Sequence, residues 1–481
     1  MWSRILILLL LTYRAHSVIL FLTGALANTS FSCATVNKLI GPQAKVTTSP
    51  VVAELLVHRQ ADPCVIDNTD VSKKVVYLTV NGACADEKIY ENFYARGAVA
   101  IVRSTDMVPG SDYNLGNEDA RQHPNWNAVP FVELSIDYAS TMIAGNGALV
   151  SLTPDPNLWQ STYSSLLYQV FLRWIPSLTA FITFSFAVSF LSQHLRILRK
   201  KYLITTPVGN ESTSSWLLFL RMNANVSLIA LTIEAISSVT LMLIWSVGGF
   251  WSTSNLPAPV VRFFATQLSG FAYITTMLSA RFWHKMVAEL TPAKRPSKPP
   301  SFLNRALRGK VLLVNVVSIC GPLVLDLVLD VEYARYKDRQ YPSLVTINAL
   351  VFVSIDIVLA VYFLQGSIML QMQMESLLRR LQGDGQSLRD FRFRTIRCAS
   401  GLGICMLTCS TATLIAGLAP GFYVTPKGWT ICWSMFTNAR ILQSLFHVIM
   451  FRPATKSEVP SRMTPNNRSK DWKSSYVPDQ P

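Results

Sequence analysis

The sequence contains no His-Glu-x-x-His, no Gly-x-Ser-x-Gly, no glycine-rich phosphate-binding loop and no zinc-ligand spacing, and its six histidines are scattered. These absences remove the signatures of metalloproteases, serine hydrolases, nucleotide enzymes and zinc modules. No catalytic, cofactor-binding or metal site is expected, and the chain does not read as an enzyme. Charge is equally scarce: 15% of the 481 residues are charged and 50% are hydrophobic, too apolar for an ordinary soluble protein. The formal charge of +15 does not point to nucleic acid. Between Asn28 and Gln160, nine Lys and Arg stand against fourteen Asp and Glu. The basic excess lies in the loops and tail of the more apolar half, where it suits a membrane surface, and no DNA-reading motif accompanies it.

What is present is a series of long apolar runs. No charge interrupts Ile175 to Leu191, and Arg196, Arg199, Lys200 and Lys201 follow at once. A bilayer core of about 30 Å needs roughly 20 such residues in a helix, and a basic cluster after it marks the cytoplasmic side. Seven spans are expected, at about 165–192, 216–247, 263–280, 311–329, 343–367, 398–418 and 429–451. With the N-terminus outside, the three inside loops carry eighteen basic residues and the three outside loops carry five. The bias therefore places the C-terminus, and a tail over 452–481 rich in Ser, Thr, Pro, Lys and Asn and expected to be disordered, in the cytoplasm.

Ahead of the first span, residues 1–27 read as a signal peptide, with Arg4, two apolar runs and the small-x-small pair Ala25 and Ala27. Asn28-Thr29-Ser30 would then place a glycosylation sequon at the mature terminus. Residues 34–156 read as a small α/β or open β-barrel domain. Val75 to Val80 and Ala98 to Arg103 are β-rich runs flanking a helical stretch, Ala85 to Arg96, that stops at Gly97. Pro130 to Leu134, a helix from the cap Ser135 to Ala144, and Ala148 to Leu152 complete it.

The order Cys64, VVYLTV, Asn81-Gly82-Ala83-Cys84, Glu87-Lys88, Ala95-Arg96-Gly97-Ala98, AVAIVR and Val129-Pro130-Phe131-Val132 resembles a protease-associated domain. That resemblance implies a non-catalytic module that binds a peptide or protein, and a disulfide between Cys64 and Cys84. Arg96, where the family carries a small residue, is a departure. The resemblance leaves Cys33 over, either as a buried thiol or as half of an intermolecular disulfide. The resulting fold class is an α+β extracellular domain followed by an all-α seven-transmembrane bundle. Its destination is the plasma membrane or an endolysosomal membrane.

Ionisable residues inside spans are expensive and therefore paired or functional. Glu234, Asp326, Asp356 and Arg440 are the candidates, with Arg440 expected to pair with Asp356 or Glu234 and with Glu234, Asp356 and Arg440 at similar depth. Cys398, Cys405 and Cys409 read as small packing residues. Met372, Leu377, Leu378 and Leu381 beside Arg379 and Arg380 make the third inside loop a surface for a cytosolic transducer or for membrane lipid. The topology resembles that of seven-transmembrane receptors, without the Asp-Arg-Tyr or Asn-Pro-x-x-Tyr of the rhodopsin-like class. The expected role is receptor-like signalling, and a transporter or channel is the alternative. An intramembrane aspartyl protease fits less well, because its Tyr-Asp and Gly-x-Gly-Asp are replaced here by Leu325-Asp326 and Gly401-Leu402-Gly403-Ile404. A cargo-sorting receptor would leave the many spans without a purpose.

Overall fold

A computed structural model describes residues 17–36, 50–59, 68–79, 84, 86–105, 125–154, 158–205, 213–223, 225–254, 272–284, 342–378, 386–423 and 425–453, with isolated positions at 256, 260, 261, 321, 324 and 328. The N-terminal part is a closed barrel of seven strands in the order β1-β2-β6-β5-β4-β3-β7. The strands are β1 (Ser17–Phe21), β2 (Ser30–Thr35), β3 (Val51–His58), β4 (Val75–Leu78), β5 (Ala100–Thr105), β6 (Phe131–Ser135) and β7 (Leu149–Thr153). β3, β4, β5 and β6 run parallel, and the other pairings are antiparallel.

The β4-to-β5 crossover is helix α1 (Asp86–Ala95), which opens on Asp86 and Glu87 and ends at Gly97. The φ of +83° at Gly97 lies in the left-handed region that favours glycine at a helix stop. Ile89, Tyr90 and Phe93 on α1 cover the outer face of the parallel strands together with Trp126. The interior is filled by alternate strand residues such as Leu55, Tyr77, Val102, Val132 and Val150, the period of two that a barrel demands. Ser135 caps a short turn at Ile136–Tyr138 that leads into α2 (Ala139–Ala144).

Strand β1 overlaps the expected 1–27 leader. It pairs with β2 on one side and β7 on the other, and Ile19 and Phe21 are fully buried. Removal of residues 1–27 would take out the strand that closes the barrel. Residues 1–16 lie outside the described residues. Asn28 stands exposed in the β1–β2 connection at φ +67°, a conformation that Asn tolerates. Cys33 is a thiol in the barrel core, 1% exposed, which removes it from reach of another molecule. Cys84 is disulfide-bonded; its partner, like Cys64, lies outside the described residues. The departure at Arg96 has a structural use: its guanidinium donates to the carbonyl of Thr69 and lies over the Phe93 ring.

The described residues that follow are mainly helical. α3 (Leu158–Ser164), a single turn at Leu166–Tyr168 and a π-helical turn at Gln169–Trp174 lead into α4 (Ile175–Thr205). Then come α5 (Thr213–Met222), α6 (Val226–Val247), a helical segment over 272–284, α7 (Pro342–Leu378), α8 (Gln386–Leu418) and α9 (Pro426–Met450). Among the described residues, four helices are long and apolar enough to cross a membrane: Leu166–Ile204, Val226–Val247, Ala349–Met372 and Phe393–Leu418. α9 is helical over the seventh expected span, but Arg440, Gln443 and His447 lower its apolarity. It lies within the bundle, packed on α8, α4 and α6. Asp326 and all of the fourth expected span except positions 321, 324 and 328 lie outside the described residues.

The expected second span, 216–247, is two helices. Asn225 breaks it by accepting from the Leu228 N–H at 2.9 Å, an N-cap that restarts the helix. The first helix also runs past the basic cluster to Thr205 instead of ending near residue 192.

Candidate functional site

Positions 440, 443 and 447 on α9 lie one and two helical turns apart and so share a face. That face carries Arg440, Gln443 and His447, each no more than 2% exposed. Arg440 meets Asp356 of α7 through both terminal nitrogens, at 2.7 and 3.3 Å. It also donates to the Tyr273 hydroxyl at 2.9 Å and to Gln443 Oε1 at 3.0 Å, and lies over the rings of Tyr273 and Phe436. The planar guanidinium suits such a forked, stacked setting, which a lysine would not fill.

The chain of contacts continues along α9. Gln443 Nε2 donates to Thr276 Oγ1 at 2.6 Å, and Thr276 faces His447 Nε2 at 3.3 Å. His447 Nδ1 lies 2.8 Å from Glu234 Oε1 of α6, with Thr275 Oγ1 at 3.2 Å. Asp356, Arg440, Gln443, Thr276, His447 and Glu234 therefore form one buried polar path from α7 to α6. It holds two pairs of opposite charge type, and the position of a single proton between Nδ1 and Oε1 decides whether the second pair is ionic.

Of the four expected intramembrane charges, the structure brings Arg440 and Asp356 together and gives Glu234 a different partner. Glu234 sits opposite His447, seven residues and about 10 Å along α9 from Arg440 at 1.5 Å per residue. His447 was missed because a lone histidine carries no local signal. Its spacing from Arg440, with Gln443 between them, was the available clue.

A second cluster fastens α3, the helix that follows the barrel in sequence, to the bundle. Trp159 and Tyr163 of α3 pack with Trp251 and Trp429, the ring centroids of Trp159 lying 6.0 and 5.8 Å from those two. Trp251 is stacked between Tyr168 at 4.5 Å and Trp429 at 5.0 Å. The Tyr168 hydroxyl donates to the Gly248 carbonyl at the end of α6, and Arg173 donates to the Ser246 carbonyl at 3.1 and 3.0 Å. Gly249 follows at φ +64°, and a Cβ there would overlap the Trp245 ring. Trp429 opens α9 eleven residues before Arg440, so the aromatic joint and the buried charges share one rigid helix.

In the barrel, Arg103 bridges Asp86 at the start of α1 and Glu133 on β6, and it lies over the Phe131 ring. Burial pushes the Tyr90 hydroxyl up to about 12. Tyr90 donates to the Asn125 carbonyl at 2.7 Å and accepts from the Val129 N–H at 3.0 Å.

The four apolar helices and the barrel ahead of them define a multi-pass membrane protein with an N-terminal β-barrel domain. Comparison with protein-family models, with curated proteins and with solved structures finds no match.

Proposed function

We propose that this chain is a receptor-like membrane protein in which the barrel binds a peptide or protein outside and the bundle relays occupancy inward. In this reading seven helices cross the membrane, with the N-terminus outside and the C-terminus cytoplasmic. The barrel is a protease-associated-like domain, Cys64 is the partner of Cys84, and Asn28 carries a glycan. The third inside loop receives a cytosolic transducer. The observation that carries the reading is the joint of Trp159 and Trp429, because it fastens the linker leaving the barrel to the helix that bears Arg440 and His447. A displacement of α3 then has a stiff path to a buried network with few alternative arrangements.

Hydrogen–deuterium exchange on the full-length protein in nanodiscs tests this. Trp159→Ala is expected to raise exchange both in α3 and in the turn of α9 around Arg440. A change confined to α3 would mean that the joint does not transmit. The polar path from Asp356 to Glu234 supports a second reading, a proton-linked transporter, and proteoliposomes address it separately. Proton uptake lost in both Glu234→Gln and His447→Gln would favour transport over relay.

A further inference from the structure

We propose that the end of α4 and the short helix α5 form a hairpin that lies on the bilayer surface and binds anionic phospholipid headgroups. The inference rests on the chain being a membrane protein and does not depend on the receptor reading. The 31 residues of α4 measure about 46 Å at 1.5 Å each, more than the roughly 30 Å of a hydrocarbon core. Its last turns therefore emerge from the hydrocarbon, and they are the turns that carry Arg196, Arg199, Lys200 and Lys201.

α5 packs back onto this end. Trp216 and Phe219, three residues apart, close on Tyr202 at 5.4 and 5.3 Å, and Lys201 Nζ donates to Asn223 Oδ1 at 3.2 Å. Other apolar side chains face away from the protein. Leu218 is 59% exposed and Met222, one turn on, 76%; Ile204 at the end of α4 is 85% exposed. Arg196, Arg199, Lys200, Lys201 and Arg221 are exposed as well. Between Phe190 and Ser227 the only acidic residue in the sequence is Glu211.

An exposed apolar face among five cations is poorly suited to water or to hydrocarbon alone. It suits the boundary between them, where the apolar side chains enter the acyl region and the cations meet phosphate and carboxylate. The one-sided charge selects an anionic leaflet over a zwitterionic one.

The test is a nitroxide label at Met222→Cys on the full-length protein. The label is read for accessibility to oxygen and to a water-soluble nickel chelate in nanodiscs of phosphatidylcholine, with and without phosphatidylserine. A label at Ile182→Cys, inside the first apolar helix, confirms insertion in every sample. Phosphatidylserine is expected to abolish chelate access at position 222, and the charge reversals Lys200→Glu, Lys201→Glu and Arg221→Glu together are expected to restore it. Equal chelate access in both lipids overturns the proposal, as does shielding that survives the charge reversals. Shielding that appears only on adding a soluble cytosolic extract overturns it too, by assigning the face to a protein.

Discussion

Arg440 and Asp356, 84 residues apart in the sequence and on different helices, close a two-pronged ion pair at 2.7 and 3.3 Å with both residues 2% exposed. A buried pair of this kind is a weak source of net stability but a strong constraint, because removing either member leaves an uncompensated charge. Arg440→Met and Asp356→Leu are each expected to destabilise the bundle by about 3 to 5 kcal/mol. The double variant should recover most of that loss. Denaturation of all three in detergent decides the matter, and strictly additive losses would show that the pair is not coupled.

The Glu234 and His447 contact separates geometry from charge. Glu234→Gln keeps a group able to hydrogen bond with the ring and is expected to cost about 1 kcal/mol. Glu234→Ala leaves a buried ring nitrogen without that partner and is expected to cost about 1 to 3 kcal/mol more. Melting temperatures of the two variants in one detergent provide the check, and equal losses would mean that the hydrogen bond contributes nothing.

How much of this was legible follows the range of each signal. β4, α1, β5 and β6 are read from the sequence because Val75 to Val80, Ala98 to Arg103 and Pro130 to Leu134 are compact β-rich runs and Gly97 marks the helix stop. Strand β1 is not, because SVILF near the chain start has the composition of a leader. Its pairing with β2 on one side and with the distant Val150 to Thr153 on the other makes it a strand. Arg440 and Asp356 stand out because a charge in an apolar run is a local anomaly. His447 does not, since its role exists only where α6 and the segment 272–284 meet it. The break at Asn225 is hidden by apolar residues on both sides, although its capping chemistry is plain once the backbone turns there.

Gly249 tests the aromatic joint from the backbone side. Its positive φ is one that L-residues with side chains rarely adopt, and a Cβ would run into Trp245. Gly249→Ala is expected to cost more than about 1 kcal/mol, the strain and the clash adding. Its effect should appear as faster proteolysis between β7 and α4. Wild-type resistance there would mean that the turn relaxes without disturbing Trp251.

Tyr90 gives the barrel a defined alkaline limit. An unfolded tyrosine loses its proton near pH 10, while burial raises Tyr90 to about 12. Below pH 10 both states hold the proton and the group leaves stability unchanged. Between about 10 and 12 the unfolded chain binds fewer protons than the folded one, so stability falls as pH rises through that window. Tyr90→Phe removes this slope. It also takes the Tyr90 hydroxyl away from the Val129 N–H and from the Asn125 carbonyl, which keeps the Ala128 N–H, a loss of about 1 to 3 kcal/mol at neutral pH. Limited proteolysis at stepped pH, with cuts mapped by mass spectrometry, should show the wild-type barrel opening around α1 and β6 within the window. The variant should be more easily cut at pH 7, with a shallower dependence between 10 and 12. An identical pH profile in the two proteins would assign the alkaline limit to another group.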